Sequence, residues 1–159
     1  MHPPAPESEH LWLAKLAGTW EFENVCSMGP DQPDMKSSGT ETVRMLGDFW
    51  AICEMSGQMP GGNPHTMIMT LGYDPAKKKF VGTFVGSMMT NLWIYEGTLD
   101  SSGKVLTLDT RGPSMTGEGT ANYQDIIEFT SDNTRSLSSQ IQMPDGSWNR
   151  FMTQKYRRK

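Results

Sequence analysis

Hydrophobic and polar positions alternate along this chain with a period of two almost from end to end. In "TWEFENVCSM", Trp20, Phe22, Asn24 and Cys26 share one face, while Glu21, Glu23 and Val25 take the other. That is the pattern of a strand with one buried side. Comparable runs recur at "SGTETVRML", "FWAICEMSGQM", "TMIMTLGY", "KKFVGTFVGS", "NLWIYEGTL", "KVLTLDT", "TANYQDIIEFT", "RSLSSQIQM" and "WNRFMTQKY". Turn chemistry separates them. Gly47-Asp48 reads as a two-residue hairpin turn, Asp74-Pro75-Ala76-Lys77 as a turn with proline at a favoured position, and "DSSG", "SDN" and "PDG" as further turns. Short connections favour antiparallel neighbours, because parallel pairs need long crossovers. A meander of about ten strands removes its exposed edges by closing on itself. The expected fold is therefore all-β, a closed antiparallel up-and-down barrel of about ten strands with a short N-terminal helix over one end.

The helical signal is confined to the start. Ser8 reads as an N-cap, Trp12, Leu13, Leu16 and Ala17 follow at helical spacing, and Gly18 suits the conformation that ends a helix. Two residues later Trp20 opens the first strand. In a closed barrel this order has a use: the helix covers one end, Gly18 lets the chain turn sharply into the sheet, and Trp20 points inward and fills the floor. Residues 1–9 read as a flexible tail and 10–159 as a single barrel domain, with no second domain or repeat.

A glycine, one residue and a tryptophan on the first strand resemble the signature of the calycin superfamily, which includes lipocalins and fatty-acid-binding proteins. The longer stretches "LAGTWEF", "SSGTETVRMLGDFW", "LGYDPAKKKFVGTFV", "YEGTLDSSGKVLTL" and "KYRRK" are similar to a bacterial family of calycin-like barrels known only as a domain of unknown function. The similarity covers nearly everything after residue 9. It implies a ten-stranded barrel and an arginine near the last strand packed over Trp20; Arg157 is the first candidate, with Arg158 and Arg150 as alternatives. It also implies an aromatic and then an acidic residue near "FVGTFVGS", where this chain has Phe84 and Gly86. It implies no reaction.

Composition narrows the function classes. The 159 residues carry a net charge of −4, so nothing general attracts the chain to nucleic acid; "KYRRK" reads as a solvated tail. The polar, proline-rich "MHPPAPESEH" does not look like a signal peptide, and no run approaches the roughly 18 apolar residues of a membrane helix. A cytoplasmic location without membrane attachment is expected, with Cys26 and Cys53 as buried thiols rather than a disulfide.

Candidate chemistry is sparse. Of His2, His10 and His65, only His65 falls at an expected barrel mouth, where an exposed loop position is the simpler reading. No zinc spacing, phosphate loop or nucleophile elbow occurs. "PGGNP" reads as a flexible mouth loop. A haem-binding relative of this barrel class, nitrobindin, needs an axial histidine from a late strand, and the late strands have none. No metal and no cofactor are expected. Two carboxylates stand in apolar runs: Glu54 in phase with Trp50 and Ile52, and Glu96 in phase with Leu92 and Ile94. Turned inward, either would serve as an acid or base with a raised pKa; turned outward, each would pair with a basic neighbour. Met67 and Met69 share a face with Leu71 and Tyr73, and methionine shapes adaptable apolar pockets.

The expected function is binding of a small hydrophobic or amphipathic molecule in a pocket lined by Trp50, Glu54, Met67, Met69, Tyr73, Phe84 and Trp93. The alternatives are an enzyme using Glu54 or Glu96 beside Tyr73, Thr70 or Arg44, and a structural module. Apolar residues on both faces of "FWAIC", "MIM" and "LWIY" point to a homodimer through Trp93 and Tyr95 or through Leu92 and Ile94.

Overall fold

The structure, a computed structural model, describes residues 2–58 and 62–159. Helix α1 (Ser8–Ala14) precedes ten strands: β1 (Gly18–Cys26), β2 (Met35–Leu46), β3 (Trp50–Gln58), β4 (Pro64–Asp74), β5 (Lys79–Gly86), β6 (Trp93–Leu99), β7 (Val105–Pro113), β8 (Thr120–Ser131), β9 (Thr134–Gln142) and β10 (Trp148–Arg158). Each strand pairs antiparallel with its neighbour in sequence. β1 also pairs with β10, from Trp20–Arg158 to Cys26–Met152, and so closes the barrel. The expected fold is the observed one. Part of the "PGGNP" loop, residues 60 and 61, lies outside the described residues.

Alternation decides the inner face strand by strand. On β1, Trp20, Phe22, Asn24 and Cys26 turn inward as their spacing requires. On β3 the choice goes to Ala51, Cys53 and Met55, all buried, and leaves Trp50, Ile52 and Glu54 outside. The neighbours force this. Cys53 is paired with Val43 of β2 and Met69 of β4, and Ala51 with Leu71; these partners are themselves buried. Once the inner rows of β2 and β4 are set, β3 has one register left. Trp50 then lies flat on the outside of β4 over Gly72, where any β-carbon would collide with the indole. The β2–β3 connection is three residues rather than two: Leu46 pairs with Trp50, and Gly47 takes φ of 62°.

Helix α1 sits at the end where the odd-numbered strands begin. Its N-cap is Glu7 rather than Ser8: the Glu7 N–H donates to His10 Nδ1 at 2.9 Å. His10 Nε2 therefore carries the proton and donates to the Tyr73 carbonyl at 3.0 Å. This buried histidine ties the helix to β4. Trp12 stands edge-on to Phe80 and Phe129, at 5.9 and 5.5 Å between ring centroids, and its indole N–H donates to the Gly103 carbonyl at 2.7 Å.

Trp20 fills the floor, fully buried, and its indole N–H donates to the Leu16 carbonyl at 2.9 Å. The arginine over it is not Arg157. Tyr156 faces inward, so Arg157 must face out, where it pairs with Glu21 at 3.0 Å. Arg158, back in the inward phase, lies 4.1 Å from the Trp20 ring and donates to the carbonyls of Ala17, Lys15 and Asp132. Gly18 makes room for it: φ is 131°, and a β-carbon there would stand 2.7 Å from the Arg158 guanidinium. From the other side Arg135 of β9 inserts between Trp20 and Tyr156, 4.5 and 3.8 Å from the ring centroids, and forms an ion pair with Glu41 of β2. Leu71, Phe80, Leu106 and Leu108 complete a solid lower half.

Candidate functional site

The upper half of the barrel is open. A cavity of about 410 Å³ begins above the floor. It is lined by the ends of odd-numbered strands and the beginnings of even-numbered ones, which in an up-and-down barrel is the end opposite α1. Its entrance carries Met88 and Met89 from the β5–β6 connection and Met115 from the β7–β8 connection.

One side of the wall is apolar and deformable. Met55, Met67, Phe84, Met88, Met89 and Trp93 contribute it. Trp93 is held in place rather than loosely packed: its indole lies over Gly112, its edge meets Tyr123 at 5.1 Å, and its N–H points to Met89 Sδ at 3.2 Å. A bulge in β10 between Arg150 and Met152 lets two adjacent residues, Phe151 and Met152, both reach the cavity.

The other side carries the polar groups. Asp125 of β8 is half-buried, with its remaining surface on the cavity. Tyr95 of β6 donates its hydroxyl to one Asp125 oxygen, and Ser139 of β9 donates to the other at 2.6 Å. Burial pushes the Asp125 carboxyl above its ordinary value, against the opposing pull of the two hydroxyl donors. Burial and the neighbouring Asp125 hold Tyr95 well above the usual phenol range, so Tyr95 remains the donor. Thr110 of β7 also lines the cavity, and its buried hydroxyl has no partner. Deeper, Asn24 donates to Gln154 at 2.7 Å, and Gln154 donates to the Tyr156 hydroxyl.

Of the residues the sequence singled out, Met67, Phe84 and Trp93 line the cavity. Met69 is buried in the solid core below it, and Tyr73 lies at the helix end against Phe80. Trp50 and Glu54 are on the outer face. Glu96 is also outside and exposed, paired with Lys77 at 3.3 Å. Both carboxylates share the outward phase of Trp50 and of Leu92, so neither reaches the cavity as the acid–base reading requires. His65 lies on β4, half-buried at the rim, rather than in an exposed loop. Trp93 and Tyr95 point inward and cannot form an outer patch; Leu92 and Ile94 are exposed. Cys26 and Cys53 are both free; Cys26 is half-buried on the cavity wall and Cys53 is buried in the core. Among the described residues no three His, Cys, Asp or Glu side chains group as a metal site requires.

Asp125 is the carboxylate that sequence reasoning missed. Its signal was present in "NYQDIIEF", where it falls in phase with Tyr123 and Ile127, both buried.

Residues 5–158 match the family model described as protein of unknown function, DUF1579. The chain belongs to this family. No curated protein matches it significantly. Among solved structures, this DUF1579 protein is similar to Rv2717c from M. tuberculosis, with 14% identity, a TM-score of 0.67, and 98% of this chain and 99% of that one covered. It is also similar to EF1p2_mFAP2b bound to DFHBI, with 12% identity, a TM-score of 0.52, and coverage of 96% and 100%. A de novo designed fluorescence-activating beta barrel matches with 16% identity, a TM-score of 0.50, and coverage of 92% and 96%. At these identities the likeness is one of fold. No helix among the described residues is long and apolar enough to cross a membrane.

Proposed function

We propose that this DUF1579 protein binds a small apolar or amphipathic molecule in the open half of its barrel. The observation that carries the reading is the cavity: about 410 Å³, walled by methionine and aromatic side chains, closed below by the Trp20 floor, and marked on one side by a few convergent polar groups. Ligand sites have this character and roughly this size, about 300–1,000 Å³. An engineered apolar cavity of roughly 150 Å³ accepts benzene, so this one has room for a molecule of about two or three rings. The methionines supply a wall that adapts to shape. A barrel of the same fold with DFHBI bound supports the reading, as does the calycin-like pairing of Gly18 and Trp20 with an arginine over the indole.

The test is native mass spectrometry of gently purified protein, followed by denaturing extraction. A stoichiometric adduct of a small molecule with an apolar body is expected. Protein that is empty, and whose tryptophan emission does not respond to small aromatic compounds, would overturn the proposal.

A homodimer is the second reading. Ile68, Val85 and Ile94 are exposed on the outer face of adjacent strands β4 to β6, with exposed Leu92 just before β6, and an isologous contact would cover them. Sedimentation is expected to give a dimer for the wild type and a monomer for Ile94→Glu. A monomeric wild type would remove this reading and leave the cavity untouched.

A further inference from the structure

We propose that the cavity selects molecules that carry a protonated nitrogen on an apolar, ring-containing body, with Asp125 as the group that receives the nitrogen. The inference rests on the binding role above and specifies its chemistry.

The barrel draws in two carboxylates, the buried Glu41 and the half-buried Asp125, and it treats them differently. Glu41, in the floor, has the Arg135 guanidinium as its partner. Asp125, in the cavity, has none: among the described residues no Lys, Arg or His lies within ion-pair distance of it. A charge taken out of water is expensive unless it is paired. Asp125 is instead held by two neutral donors, one to each oxygen, from Tyr95 and Ser139. A carboxylate has about four lone-pair positions, so roughly half its accepting capacity is open, and Asp125 lines the cavity. The group that fits there is a donor, and a cationic donor also supplies the missing charge. A carboxylate or phosphate head would meet like charge at that point.

The surroundings suit a cation as well. Tyr95, Trp93, Tyr123 and Phe151 all line the same cavity, and Tyr95 touches Asp125 itself. Three of them form a chain of edge-to-face contacts, Trp93–Tyr123 at 5.1 Å and Tyr123–Phe151 at 6.2 Å. Aromatic faces attract ammonium groups, and more so when water is excluded. The Tyr123 hydroxyl is already used on the Pro113 carbonyl at 2.6 Å. Thr110 is not so engaged. It pairs with Tyr123 in the β7–β8 register, is nine-tenths buried and leaves its hydroxyl unpartnered. A buried hydroxyl without a partner is costly, and a second N–H of an amine head would satisfy it.

The experiment uses three probes with one ring system and different heads: 1-naphthylmethylamine, 1-naphthalenemethanol and 1-naphthoic acid. Calorimetric titration of the wild-type protein and of Asp125→Asn gives the affinities. In the wild type the amine is expected to bind at least tenfold more tightly than the alcohol, and the acid most weakly. In folded Asp125→Asn the amine is expected to lose that advantage, its affinity falling further than the alcohol's. If the alcohol or the acid binds the wild type as tightly as the amine, or if the amine keeps its advantage in folded Asp125→Asn, the selectivity is overturned and the cavity stands as a binding site. If none of the three binds the wild type, the binding role falls too. The wild-type ranking is decisive even if Asp125→Asn does not fold.

Discussion

Glu41→Gln should be among the most damaging single substitutions in the barrel, although it changes one atom. The Glu41 and Arg135 side chains are 4% and 3% exposed. Burial pushes the Glu41 carboxyl up, and the Arg135 guanidinium opposes that shift. Glutamine keeps an oxygen for Arg135 but leaves its charge uncompensated in a place water cannot reach. Arg135 has no route of escape: it is held between the rings of Trp20 and Tyr156, at 4.5 and 3.8 Å, and swinging out would forfeit both contacts and open the floor. Removing one partner of a buried pair costs about 3–5 kcal/mol. At roughly 2–4 °C per kcal/mol for a domain of this size, the melting temperature should fall by about 6–20 °C. Urea denaturation with linear extrapolation measures the loss directly. The double variant Glu41→Leu with Arg135→Met removes both charges, and should be more stable than Glu41→Gln alone. A loss below about 1 kcal/mol for Glu41→Gln, well under the range for a broken buried pair, would refute this account. So would a double variant whose cost is the plain sum of its two singles.

Three further outcomes are expected. Gly18→Ala should destabilise by about 1–3 kcal/mol in the same denaturation assay, because it meets both the φ of 131° and the Arg158 guanidinium. Glu54→Gln and Glu96→Gln should change stability by no more than about 0.5 kcal/mol and leave probe affinities unaltered, since both side chains face solvent. Asp125 binds its proton more tightly in the folded barrel than in the unfolded chain. Its contribution is therefore full below the unfolded value of about 4 and is lost as pH rises through the higher folded value. Melting curves should show Asp125→Asn gaining on the wild type as pH is raised from about 4, and a pH-independent difference would contradict the burial of a titrating carboxyl.

The strand count, the closure of the barrel, the capping helix and the inward turn of Trp20 were legible in the chain, because each rests on local chemistry. A period of two, turn residues at short intervals and a glycine after a helical run act within a few residues of themselves. Which face looked inward was legible where one face was clearly polar, as in "TWEFENVC". It was not legible in "FWAICEM", where Trp50 and Ile52 are as apolar as Cys53 and Met55. There the choice belonged to β2 and β4, whose buried rows admitted only Ala51, Cys53 and Met55, and with that choice Glu54 left the site. The β10 bulge that brings Phe151 and Met152 both inward has no equivalent in the local pattern.

The pairings that make the floor and the site are longer-ranged still. Glu41 and Arg135 stand 94 positions apart, and Tyr95 and Asp125 stand 30 apart. No spacing rule connects them; closure of the sheet does, by setting the register of every strand against two others. The alternating pattern by itself determined that this chain is a barrel. Where the barrel is solid and where it is hollow, and which of its inward acids was left without a cation, were decided only when β1 met β10.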